Sequence, residues 1–73
     1  MSVLRRGDKG PRVVELQRAI TAATDIPLAP DGIFGEATEQ AVIVYQFGKG
    51  LDRDGIAGPA TMRALGIDAR DSA

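Results

Sequence analysis

The octapeptide Asp31–Thr38, DGIFGEAT, returns 23 residues later as Asp54–Thr61, DGIAGPAT. Six of the eight positions are identical, and only Phe34/Ala57 and Glu36/Pro59 differ. Asp-Gly is a strong turn signal, because glycine tolerates positive φ and aspartate can bond its own downstream backbone. Each copy runs directly into a segment of helical periodicity. Each therefore reads as a loop-to-helix joint, and in a chain of 73 residues two such joints leave room for little besides short helices.

Three segments have helical character. Gly10-Pro11 precedes RVVELQRAITAA, Gly35-Glu36 precedes ATEQAVIVYQF, and Gly58-Pro59 precedes ATMRALG. Glycine is acceptable at an N-cap, and proline at the first helical position loses nothing, since its missing N–H would be unpaired there anyway. Glu36 takes the proline's place in the second helix, where a carboxylate suits the positive end of the helix dipole. Val13, Leu16, Ile20 and Ala23 form one apolar stripe, Ala37, Ala41, Val42 and Tyr45 a second, and Met62 with Leu65 a third. The β-branched run VIVYQF has strand character by composition. It continues GEATEQA without a breaker, however, and a lone strand has no partner, so the helix reading is kept.

Gly66 is placed as the residue after the third helix, with Ile67 closing over its last turn. Ile33 and Ile56 are expected to point into the core before each helix, and Leu28 and Leu51 to plug the bundle from the loop side. Gly32, Gly35, Asp54, Gly55 and Gly58 are assigned to the turns. The expected fold is all-α: a compact three-helix bundle with two Asp-Gly-Ile-x-Gly loop-to-helix joints. It forms a single domain over 1–73, with a core over about 4–67 and a flexible tail over 68–73.

Composition removes several function classes. There is no cysteine, hence no disulfide or zinc–thiolate site, and no histidine, the commonest metal ligand and general base. The only serines, Ser2 and Ser72, lie at the two ends, away from any base that could activate them. A formal charge of −1 argues against nucleic acid as a partner. Residues 1–18 carry five basic side chains and residues 19–48 four acidic ones with no base, which reads as two mutually attracting solvated faces. No stretch approaches membrane-span length, and MSVLRRGDKG lacks the apolar region of a secretory signal, so synthesis in the cytoplasm is expected.

The duplicated Asp-Gly loops invite a calcium reading. A loop with aspartate fifth and glycine sixth would begin at Pro27 or Gly50 and end at Thr38 or Thr61, where calcium needs carboxylates. The reading fails at both ends of both loops. Asp31 and Asp54 are better explained as acceptors of backbone N–H groups in their own turns, and Thr38 and Thr61 as local caps. Tyr45 reads as core with its hydroxyl at the rim. Phe34, whose repeat partner is Ala57, either fills the core at one joint or walls a ligand groove. Gln46, beside Tyr45, is placed at the rim as a polar contact for amides or sugars. Glu36 and Glu39 share an exposed face and do not make a hydrolytic pair, so no enzyme activity and no cofactor or metal is expected.

Taken in order, LRRGDKGPRVVELQRAI, PDGIFGEATEQAVIVYQ and GLDRDGIAGPATMRAL resemble the peptidoglycan-binding domain of the PGBD-like superfamily. These are small three-helix modules attached to bacterial and phage cell-wall hydrolases. The resemblance covers about residues 4–66 and is carried by Gly7-Asp8, Leu16-Gln17, Asp31–Gly35 with Thr38, Tyr45-Gln46, Gly50-Leu51, and Asp54–Gly58 with Thr61. It implies a non-catalytic module that binds murein, through glycan strand or stem peptide, with Asp31, Phe34, Thr38, Tyr45 and Gln46 as ligand contacts. It also implies a place at the cell wall, or in a virion delivered there, and a cell-wall hydrolase or virion protein as associate. Two positions depart from the family pattern: TDIPLA stands where a Gly-aromatic pair is common, and Met62 where an aromatic is common. The same fold also serves as a protein–protein assembly module without murein affinity, and that is the alternative reading.

Overall fold

The computed structural model of the protein describes residues 3–67. Helix α1 spans Pro11–Thr24, α2 Glu36–Lys49 and α3 Pro59–Leu65. Two isolated antiparallel bridges, Leu4 with Ala57 and Lys9 with Ile33, are the extended pairing among the described residues. The expected tail over 68–73 lies outside them.

The helix boundaries follow from local chemistry. Gly10, Gly35 and Gly58 are the N-caps, Pro11 and Pro59 open α1 and α3, and Glu36 and Glu39 place carboxylates in the first turn of α2. All three helices end in a left-handed residue: Asp25 at φ 64°, Gly50 at 72° and Gly66 at 81°. After Gly66, the Ile67 N–H returns to the Met62 carbonyl at 2.9 Å and its side chain packs against the core, closing α3.

The core is drawn from every segment: Val13, Leu16 and Ile20 of α1, Ala41, Val42 and Tyr45 of α2, Met62 of α3, and Leu4, Phe34 and Ala57 from the connections. Leu28 and Leu51 pack against it from the loops. Three expectations need correction. Ala23 and Ala37 are exposed, so the first two stripes are shorter than their spacing suggests. Ile33 does not enter the core; it is 52% exposed. Side chains alternate along extended backbone, and Phe34 takes the inward position, which sends Ile33 outward. The same alternation buries Ala57 and leaves Ile56 half-buried.

The segment before α1 ties the two joints together. Leu4 exchanges both backbone bonds with Ala57 (3.1 and 2.8 Å), while Gly7 N–H donates to the Phe34 carbonyl, Phe34 N–H to the Asp8 carbonyl, and Gly10 N–H to the Gly32 carbonyl. Charge plays a smaller part. Arg6 of the basic segment meets Glu39 of α2 at 3.2 Å, an exposed pair of the kind worth about 0–1 kcal/mol.

Candidate functional site

Both joints are organised by one buried glutamine each. Gln17 of α1 directs its Nε2 at Asp31 Oδ1, the Ile33 carbonyl and Thr38 Oγ1, all at 3.0 Å, while its Oε1 accepts the Gly32 N–H at 2.9 Å. Gln46 of α2 does the same to the second joint: Nε2 to Asp54 Oδ1 (3.1 Å), the Ile56 carbonyl (3.0 Å) and Thr61 Oγ1 (3.1 Å), with Oε1 taking the Gly55 N–H at 3.1 Å. A backbone N–H can only donate, and a carboxylate and a carbonyl can only accept, so the set fixes the amide orientation, with the two Nε2 hydrogens shared among three acceptors. Each aspartate also accepts an N–H two residues on, Ile33 or Ile56, at 2.9 Å, completing the turn.

The glycines of the joints are required by this geometry. Gly32 and Gly55 sit at φ 77° and 73°, a region that L side chains rarely adopt. A Cβ on Gly55 would also lie 2.9 Å from Glu39 Cγ.

In front of each network lies a shallow groove. The first, about 230 Å³, has Gln17 and Thr38 at its floor, Leu28 on one wall, Asp31 and Ile33 at the rim, and the first turn of α2 at Glu36 and Ala37 opposite. The second, about 330 Å³, is built from Gln46, Thr61, Leu51, Asp54, Ile56, Pro59 and Ala60. Apart from the glutamine, every residue lining the first groove has its counterpart 23 positions on in the second. The differences are chemical: Ala29 and Glu36 in the first become Asp52 and Pro59 in the second.

The sequence-predicted contacts are distributed unevenly over this site. Asp31 is exposed at the rim. Thr38 and Gln46 are buried network members rather than surface contacts, with Gln46 only 1% exposed; the rim placement of Gln46 is corrected because its amide is consumed by the second joint. Thr38 and Thr61 serve helices α1 and α2 across the fold and are not merely local caps. Phe34 is the largest fully buried side chain and takes the core option, not the wall. Tyr45 is also core and lines neither joint groove. Gln17 has no role assigned from the sequence, because polar residues on a helix are ordinarily solvated; its position one residue after Leu16, on the buried stripe, is the available signal.

Hydrogen bonds from the Ile33 N–H and then from the Gln17 amide hold the Asp31 carboxyl below its ordinary value. A carboxyl with a lowered folded-state pKa contributes stability that is present above its unfolded value, about 3.9, and lost as pH falls below that through the folded one. An asparagine in its place keeps an acceptor at Oδ1 and does not titrate. In urea titrations the parent is therefore expected to lose more stability than Asp31→Asn on acidification below about pH 4. Parallel pH profiles for the two proteins would remove Asp31 from the linkage.

A three-helix scaffold with paired surface grooves defines a small binding module. Residues 9–65 match the family described as "Putative peptidoglycan binding domain", and the chain belongs to that family. It is 44% identical over 64 residues to the zinc D-Ala-D-Ala carboxypeptidase of Streptomyces albus G, covering 85% of this chain and 25% of that enzyme. It is 41% identical over 66 residues to the N-acetylmuramoyl-L-alanine amidase CwlL of Bacillus licheniformis, covering 88% of this chain and 18% of the amidase. Among solved structures, the Burkholderia AP3 phage endolysin superposes with a TM-score of 0.86 at 45% identity, over 97% of this chain and 27% of the endolysin. The SleB N-terminal domain superposes at 0.83 and 36% identity, over 88% of both chains. The chain thus spans a quarter or less of the curated enzymes it matches.

Proposed function

We propose that this chain is the wall-anchoring part of a longer cell-wall hydrolase or of a phage lytic protein, and that it grips murein in the twin joint grooves. The observation that carries the reading is the doubled groove itself. Two concavities of the same construction, one Gln–Asp–Thr network behind each, suit a polymer of repeating units better than a single small ligand. Family membership and the wall-lytic relatives support murein as that polymer. In this reading catalysis belongs to the remainder of the longer protein, and the lack of histidine and cysteine in this chain supports that division. Family membership also weighs against a docking role without murein affinity. Of the sequence candidates, Asp31 remains a direct contact in this reading, while Phe34, Thr38 and Gln46 hold the groove in shape.

Co-sedimentation with protein-free sacculi tests the proposal. Ala37 and Ala60 are exposed and lie in the grooves, in the first turns of α2 and α3. Glutamate at either position suits the helix dipole while filling the groove. The parent is expected to pellet saturably, and Ala37→Glu with Ala60→Glu to weaken binding at least about tenfold, a loss of about 1.4 kcal/mol, with helicity unchanged. A parent that stays in the supernatant across wall chemotypes sinks murein binding. A double variant that binds normally moves the site off the grooves.

A further inference from the structure

A third concavity, about 340 Å³, lies between the C-terminal ends of α1 and α2, lined by Ala23, Thr24, Val44, Tyr45, Gly48 and Lys49. It shares no residue with either joint groove. Two of its polar groups, on Tyr45 and Lys49, have no hydrogen-bonding partner among the described residues. The Tyr45 ring is buried, and its hydroxyl, which makes no hydrogen bond among the described residues, is accessible from outside. Burial raises its pKa, so it stays a neutral donor. Lys49 holds its ammonium 5.9 Å from the centre of the Tyr45 ring and has no carboxylate partner among the described residues. Thr24, by contrast, is fully engaged: its hydroxyl donates to the Ile20 carbonyl at 2.7 Å and accepts the Ile26 N–H at 3.1 Å.

The free acceptors come from the end of α1. The Ala23 carbonyl would ordinarily meet the N–H four residues on, but that residue is Pro27, which has none. The Leu28 N–H, the next in line, goes instead to Thr21 Oγ1 at 3.3 Å. The groove therefore offers an ammonium and a phenol as donors, the unpaired carbonyls at the end of α1 as acceptors, and a small exposed apolar surface of Ala23, Val44 and Gly48. The C-terminal ends of helices are negative, so an anion suits this groove only where the Lys49 ammonium meets its charge and an adjoining N–H meets the carbonyls. A phosphate has no N–H for the carbonyls. A peptide terminus fits: its carboxylate meets Lys49 and Tyr45, its last amide N–H faces the α1 carbonyls, and a methyl-sized side chain covers the exposed apolar surface.

We propose that this groove is a separate binding site for the terminal carboxylate of a murein stem peptide ending in a small residue. The inference rests on murein as the ligand and is independent of the joint grooves. The test is a ¹H–¹⁵N NMR titration with N-acetyl-D-alanyl-D-alanine, its C-terminal amide and its L,L isomer. Saturable shifts are expected at Ala23, Thr24, Gly48 and Lys49 with the free acid. Affinity is expected to fall about tenfold for the amide and in Lys49→Gln, through loss of a charge-assisted bond, and to fall also in Tyr45→Phe, which keeps the ring in the core. Silence at concentrations on the order of 10 mM, where even a weak site registers, overturns the proposal, as does an equal response to the amide. Shifts centred on Gly32 and Gly55 would assign the peptide to the joint grooves and overturn the third site while leaving wall binding intact. Equal or tighter binding of the L,L isomer would point to a protein terminus and overturn the stem peptide as ligand. Sacculi pelleting of the parent, run alongside, separates failure of the wall reading from failure of this site.

Discussion

Replacing Gln46 with alanine is expected to remove a large part of the stability of this chain. The side chain is buried and makes four hydrogen bonds to one joint, so its loss strands the buried Gly55 N–H and the Thr61 hydroxyl and opens a cavity besides. An orphaned buried donor costs about 1–3 kcal/mol, and the void adds to it, for a total of about 3–4 kcal/mol. Domains of this length hold only about 4–11 kcal/mol in all. Gln46→Glu is the sharper variant because it preserves shape and removes the donors. A carboxylate there faces the Asp54 carboxylate and the Ile56 carbonyl, so its folded-state pKa must rise above the unfolded value of about 4.3. The folded form then binds the extra proton, and stability falls as pH rises through that window. Urea denaturation between about pH 4 and 7 should show Gln46→Glu gaining stability on acidification, opposite in sign to the acid loss expected from Asp31. A Gln46→Glu protein as stable as the parent at neutral pH would mean that the network does not hold the joint.

The sequence carried the frame of this fold openly and its interior connections hardly at all. Glycine and proline at positions 10–11 and 58–59, and Gly35-Glu36, mark the helix starts through chemistry confined to adjacent residues. Gly66 and Ile67 mark a helix end the same way. Ile33 and Phe34 were harder, since both are apolar and adjacent; which one turns inward is set by the bridge of Lys9 to Ile33, a pairing across 24 residues. The glutamines were hardest. Gln17 and Gln46 reach their partners over 8 to 21 residues, and nothing local distinguishes a buried amide from a solvated one. The repeat did contain a hint: each joint retains Asp, Gly and Thr at fixed positions, and such a set calls for one group that both donates and accepts. The groove followed the same pattern. The place of Asp31 at a groove rim was legible because it sits in the turn, whereas Ala37 and Ala60 have no chemistry of their own and line the grooves only through what the joints place around them.

The largest loss is expected at one of the two positions where the copies differ. Phe34 is 1% exposed and contacts a core assembled from all three helices, so Phe34→Ala should cost about 3–5 kcal/mol, a large fraction of the stability of a domain this small. The second joint reaches the same burial with Ala57 because Leu4, bridged to Ala57, brings its own side chain into the core there. The first joint has Asp8 opposite Phe34, and an aspartate supplies no such filling. The two residues are therefore not interchangeable. Ala57→Phe has no space, since Ala57 is fully buried, and should cost about 1–3 kcal/mol by overpacking. Combining it with Phe34→Ala should worsen the single variant, because the void and the added ring lie at different joints. Urea denaturation and circular dichroism at neutral pH on the three proteins decide the matter. Recovery of stability in the double variant would mean that the core redistributes volume between the joints, and that Leu4 does not occupy the place assigned to it.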